Sequence, residues 1–234
     1  MDCHIRAFGA CMIGGFPHRP EDSFFYKAIE RLQKQSVHKV ITSQFTFGGF
    51  PVTRVPKHLK PRCLDFHPQI VVLQFGTSDL IVPLRQHHHH GSTPVHRNVS
   101  TANPVLTDRL RWQVQSFVGN ALGLAPVTMP EVYLQTMEQI IRALAEQNII
   151  PVVLSPFVFG GQRSDRIARD CAVKLKRQMA QIPKAVFVDA YTALNEHPRS
   201  RMLLRDGSHL SLEGQSVVAD ALFPHLKNLL DNLD

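Results

Sequence analysis

Two short runs constrain this chain more than anything else in it. Ile70-Val71-Val72-Leu73 and Val152-Val153-Leu154 are apolar at successive positions, not at alternate ones. Neighbouring side chains of a strand point to opposite faces, so an unbroken apolar run predicts a strand buried on both sides. Such strands belong to a parallel sheet covered by helices; a sheet with one wet face would alternate. With their flanks the two runs extend over Ile70–Phe75 and Ile149–Phe157, and further β-rich runs lie at His4–Phe8, Lys39–Phe45 and Ala185–Asp189.

Helical patterns fill the gaps between these runs. Asp22 or Ser23 can cap a helix through about Gln35, with Phe25, Ile29 and Leu32 on one stripe. Glu131–Gln147 carries Leu134, Met137, Ile141 and Leu144 at helical spacing, and Ser164 can cap Asp165–Gln181, where Ile167, Cys171, Leu175 and Met179 stand four apart. Ser211 can cap a last helix reaching Leu230, bent or broken near Pro224. Alternating strands and helices with right-handed crossovers predict an α/β fold, a three-layer α/β/α sandwich on a five-stranded, mainly parallel, flavodoxin-like sheet. The 234 residues read as a single domain, 1–234. Ligands of such open sheets bind beyond the carboxyl ends of the strands.

One stretch breaks the rhythm. Pro83 to about Pro130 reads as an insertion, with a short helix around Asp108–Val118 that contains Trp112. Insertions of this length serve as lids or specificity elements, or are plain surface excursions. Trp112 reads as packing, with stacking on a sugar ring as the alternative. The run His87-His88-His89-His90 with His96 has no spaced ligand pattern, so neither a metal nor a cofactor is expected.

Composition excludes several classes. With 44% hydrophobic and 19% charged residues the chain is not disordered. No apolar run approaches the ~20 residues of a bilayer span, and no membrane partner is expected. The start, Met1-Asp2-Cys3-His4, lacks a basic stretch followed by an apolar one, which favours a cytoplasmic location. Cys3, Cys11, Cys63 and Cys171 form no C-x-x-C pair, and apart from Cys11 they read as reduced, buried thiols. The net charge of +7 attracts anions, but its lysines and arginines are spread over several clusters without interleaved aromatics. They read as solvated helix faces, and no nucleic-acid partner is expected.

Four segments carry chemistry. Asp206-Gly207-Ser208-His209 precedes the last helix, and an acid three residues before an imidazole can fix its tautomer and stabilise its protonated form. Cys11 follows the first strand among Gly9, Ala10, Gly14 and Gly15, where an α/β hydrolase holds its nucleophile. Phe47-Gly48-Gly49 follows the second strand and Gly76-Thr77-Ser78-Asp79 the third, at the same edge, where N–H groups and a hydroxyl can face a developing oxyanion. Ser155 and Asp189, at the ends of the fourth and fifth strands, read as turn and capping residues.

In this order the segments resemble the blocks of the SGNH (GDSL-type) hydrolase superfamily: a G-D-S start, a glycine after the second strand, G-x-N-D after the third, and D-x-x-H before the final helix. Here they read Gly9-Ala10-Cys11 with Gly15, Gly49, Gly76-Thr77-Ser78-Asp79 and Asp206-Gly207-Ser208-His209-Leu210-Ser211. Gly49 suits the family spacing better than Gly48. The resemblance implies Cys11 as nucleophile, His209 as its base and Asp206 orienting His209. It implies an oxyanion hole from Cys11, Gly49 and Ser78, with Gly76 and Asp79 toward substrate; Asp79 also reads as a loop anchor. The substrate class would be a small-molecule or carbohydrate acyl ester. This chain departs from the pattern with Cys11 for serine, Ala10 for aspartate and Ser78 for asparagine. A thiol paired with an imidazole ionises at a pH of ~4–7 and needs less help from a base than a hydroxyl does. Hydrolysis, transfer of the acyl group to another alcohol, and mere binding of a carbohydrate or acylated ligand by a degenerate member all remain open on the sequence.

Overall fold

A computed structural model describes residues 2–82 and 99–232. Its five strands are β1 (Asp2–Gly9), β2 (Lys39–Thr46), β3 (Ile70–Gln74), β4 (Ile150–Leu154) and β5 (Val186–Val188). They lie in the order β2-β1-β3-β4-β5, and every pairing is parallel. The central β3 is buried at all of its positions and β4 at all but Ile150, as unbroken apolar runs require. β2, at the edge, is mostly exposed. In β1, Arg6 is only 2% exposed; its guanidinium donates to the Arg62 carbonyl (2.9 Å) and the Ser43 hydroxyl (2.6 Å) and lies over the Phe66 ring.

The helices are α1 (Phe24–Gln35), α2 (Pro56–Arg62), α3 (Thr77–Leu80), α4 (Leu106–Ala121), α5 (Pro130–Glu146), α6 (Gln162–Met179), α7 (Ala190–Asn195), α8 (Arg199–Met202) and α9 (Leu212–Asp231). α1 packs on α9, which also meets α7 and β5, making one layer; α5 packs on β4, α6 and α2 in the other, with α4 against α6. Ser23 and Ser211 cap α1 and α9 as expected, accepting from the N–H groups of Tyr26 and Gly214 (3.0 Å each).

Some boundaries differ from the sequence reading, each for a local reason. β4 stops at Leu154, not at Phe157: Ser155 turns its hydroxyl to the Tyr191 N–H (2.7 Å), and Pro156 has no N–H to give a ladder. α6 starts at Gln162, so Ser164 is not its cap; its hydroxyl accepts from the Val82 N–H (2.9 Å) and ties the start of α6 to the chain after α3. α9 runs through Pro224 unbroken, because proline deletes one internal hydrogen bond while Val218, Leu222, Leu226 and Leu230 stay buried on either side. The insertion helix is longer than expected, Leu106–Ala121.

Cys3, Cys63 and Cys171 are buried, and no disulfide joins them. Burial pushes their thiols up to about 11, 12 and 12.

Candidate active site

The ends of β1, β2 and β3 meet at one edge of the sheet. A Cβ on Gly9 would come within 2.4 Å of the Gln74 carbonyl oxygen, so only glycine lets β1 and β3 close at this point. The Ala10 N–H donates to that carbonyl (2.8 Å), and the Phe47 N–H, just past β2, donates to the Gly9 carbonyl (2.9 Å). The chain then turns through a single 3₁₀ turn, Cys11–Gly14, which ends on Gly15 at φ 91°. Cys11 is the first residue of that turn and is 9% exposed.

The opposite end of the chain arrives through the segment before α9. The Leu204 N–H donates to the His209 carbonyl (2.8 Å), and Gly207, at φ 72°, lets the backbone double back. Within this turn Asp206 Oδ1 accepts from the N–H groups of Ser208 (2.9 Å) and His209 (3.0 Å). The carboxylate is thus aimed by its own backbone, and Oδ2 lies 2.5 Å from His209 Nδ1. Nε2 of the same ring lies 3.5 Å from Cys11 Sγ, across 198 positions of sequence. Phe16 sets its ring against the imidazole, with centroids 5.2 Å apart at 70°.

The electrostatics follow from this geometry. Burial disfavours a charge on His209, but its contacts with Asp206 and Cys11 outweigh it and push the imidazole up to about 10. Burial likewise opposes ionisation of Asp206, yet the His209 ring and the two N–H groups hold its carboxyl at about 2. The contact thus favours the charged form of both the imidazole and the carboxyl, with the sulfur on the far side of the ring.

The helix of the insertion holds this turn from outside. Trp112 is 5% exposed, and its Nε1 donates to the Arg205 carbonyl (3.3 Å), which also accepts from Arg111 (2.8 Å). Arg205 Nε in turn donates to Asp108 Oδ2 (2.8 Å). A Cβ on Gly207 would stand 2.7 Å from the indole, and one on Gly160, whose N–H donates to the Gly207 carbonyl, 2.5 Å from it. Trp112 therefore packs against the backbone that carries Asp206, in line with a packing role. The Asp108–Arg205 pair and Phe16 beside the imidazole left no sign in the sequence, because these contacts join segments far apart in the chain.

The remaining candidates divide. Gly49 lies in the exposed turn after β2 with open space where a side chain would be, and Ser78 is half-buried in α3. Both follow strand ends adjacent to that of β1. Gly76 and Asp79 are both buried. Gly76 sits at φ 116° and a Cβ there would meet Pro156 at 3.0 Å. Asp79, 1% exposed, accepts at Oδ1 from the Val52 N–H (2.8 Å) and the Thr128 hydroxyl (2.9 Å), and burial pushes its carboxyl up. It is the loop anchor of the alternative reading. Asp189 caps α7, accepting from the Thr192 N–H (3.0 Å). His87–His90 and His96 lie outside the described residues; among those described, no group of three or more His, Cys, Asp or Glu is arranged to hold a metal ion.

The fold is that of the SGNH (GDSL-type) lipase-acylhydrolases and esterases. The chain is similar in structure to the lipase/acylhydrolase from Enterococcus faecalis, at 16% identity and a TM-score of 0.66, covering 97% of this chain and 96% of that one. A putative lipolytic protein of the G-D-S-L family from Desulfitobacterium hafniense matches at 12% identity and a TM-score of 0.61, over 94% of this chain and 98% of that one. A catalytic mutant of an acetylxylan esterase from Geobacillus stearothermophilus matches at 14% and 0.66, over 95% and 93%. No protein-family model matches the sequence, and no curated protein matches it significantly.

Proposed function

We propose that this chain is an acyl-ester hydrolase in which Cys11 is the nucleophile. The observation that carries the reading is the contact between Cys11 Sγ and His209 Nε2 at 3.5 Å, on a ring whose other nitrogen meets Asp206 at 2.5 Å. In this reading the Sγ proton passes to His209 Nε2. The thiolate attacks the ester carbonyl carbon, a C–S bond forms, and the carbonyl oxygen becomes an oxyanion. The N–H groups of Cys11 and Gly49 and the hydroxyl of Ser78 are the donors for that charge. As the C–O bond breaks, His209 gives its Nε2 proton to the leaving alcohol. His209, now neutral, takes a proton from water; the water attacks the thioester, the C–S bond breaks, and the carboxylic acid leaves. Asp206 holds the Nδ1–H tautomer throughout. The similarity to an acetylxylan esterase supports a carbohydrate ester as the substrate class.

A second reading has its own support. Ala10 and Ser78 stand where the family pattern has aspartate and asparagine, and Cys11 is 9% exposed. On these grounds the chain is a degenerate member that binds an acylated or carbohydrate ligand without turning it over.

Alkylation separates the two. Iodoacetamide should modify Cys11 well below pH 8, faster than the three buried thiols, and His209→Ala should abolish the preference. The wild type should hydrolyse a short p-nitrophenyl ester, and Cys11→Ala should not. Labelling of Cys11 no faster than an ordinary exposed thiol, with no turnover, refutes the hydrolase and leaves the binding reading.

A further inference from the structure

α4 has a buried face of mixed character and an apolar face that, among the described residues, is exposed. Asp108, Trp112, Ser116 and Gly119 are buried against the body. On the opposite side Leu106, Leu110, Val114 and Phe117, at steps of four, four and three residues, are 63%, 51%, 60% and 73% exposed. The chain that follows exposes Leu122 at 66% and Val127 and Met129 at 52% each, and then the acid Glu131. Exposed leucines are ordinary when scattered; a row along one helix, pointing away from the body, is not.

The charges around the row select its partner. Between residues 99 and 130 the one acidic residue is Asp108, which is buried and bonded to Arg205. Arg109 and Arg111 flank the stripe, Arg111 also donating to the Arg205 carbonyl and lying 3.8 Å from Asp108. On the buried side of α4, Arg163 of α6 donates to the Gly119 carbonyl (3.0 Å), and α6 exposes Arg166, Arg169, Lys174 and Arg177. The exposed acid of α6, Asp170, is paired with Arg169 (3.4 Å). A convex helix with an aliphatic and aromatic stripe and cationic flanks has the properties of a helix that lies in the plane of a lipid interface. A second copy of the chain fits less well, since a two-fold contact through this stripe would face arginine to arginine. A peptide partner would need a groove, which one protruding helix face does not supply.

We infer that α4 docks the protein on an anionic lipid surface, its apolar stripe entering the headgroup region and the arginines around it meeting lipid phosphates. This departs from the expectation that no membrane is involved, which rested on spanning length; among the described residues no helix is long and apolar enough to cross a membrane. Docking needs no such helix. The inference does not depend on the chemistry at Cys11.

Flotation of the full chain with lipid vesicles tests it. The protein should float with vesicles containing phosphatidylglycerol and stay behind with pure phosphatidylcholine. Leu110→Ser and Phe117→Ser, both at exposed positions, should each reduce partitioning on the order of tenfold while circular dichroism is unchanged. Arg109→Glu, or salt near 1 M where the screening length is about 3 Å, should also weaken it. No flotation overturns the inference, as does flotation that responds to salt but not to the two stripe variants. A dimer in sedimentation velocity that dissociates in those variants assigns the stripe to a second copy and overturns it too.

Discussion

At the scale of single residues, the decisive contacts surround one imidazole. Its ordinary value of 6.5 is raised to about 10, and the carboxyl of Asp206 drops from 3.8 to about 2. The consequence for stability has a definite sign. A group raised in the folded state stabilises fully below its unfolded value, so the contribution of His209 is complete below about pH 6.5 and is lost as pH rises through about 10. Asp206 contributes above its unfolded value, and that contribution is lost as pH falls through about 2. Melting curves of the wild type and His209→Ala should therefore differ most between about pH 4 and 6.5, with the gap narrowing toward pH 10. A residual gap should persist at high pH, because the packing of Phe16 on the ring does not titrate. A gap independent of pH would refute the ion pair. The Asp-x-x-His pair was legible in sequence, since its two members share one turn. Phe16 was not, since nothing local distinguishes a phenylalanine that meets an imidazole from one that meets the core.

At the scale of elements, α4 is both support and surface. Its buried side holds the Arg205–Gly207 backbone through Trp112, Arg111 and Asp108. Trp112→Ala should cost roughly 3–5 kcal/mol, on the order of ten degrees in melting temperature. It should also slow alkylation of Cys11 at temperatures where the chain is still folded, because a loosened turn no longer presents His209. Val114→Ser, on the outer stripe, should change neither. If Trp112→Ala lowers stability but leaves the labelling rate untouched, the helix is a prop for the fold and has no bearing on the site. Sequence periodicity identified a helix here, yet it could not tell which of its faces would be covered. α6 illustrates the same limit: Ser164 has the chemistry of a cap, but the Val82 N–H competes for its hydroxyl and the helix begins earlier.

At the scale of the whole molecule, the site exists only when the sheet is complete. Cys11 hangs from β1 and His209 from the turn before α9, and α9 is held by α1, α7 and β5. The pair therefore has no local route to assembly. In a denaturant titration the fast alkylation of Cys11 should vanish in the same transition as the helical circular dichroism. Loss of labelling preference at lower denaturant would instead mark the 206–209 turn as a unit that opens by itself.

The sequence alone determined the covered parallel sheet, because a strand apolar on both faces has no other stable place, and it determined the turn chemistry that joins Asp206 to His209. It also marked the end of β1 as a site of close backbone approach through its glycine. Tertiary structure decided what meets across the chain: the sulfur with the imidazole, the indole with the turn behind Asp206, and the solvent with the second face of α4. The physical reason is range. Periodicity, capping and turn preferences act over a few residues and leave a local imprint, whereas a contact spanning 198 positions is fixed by packing that no short segment records.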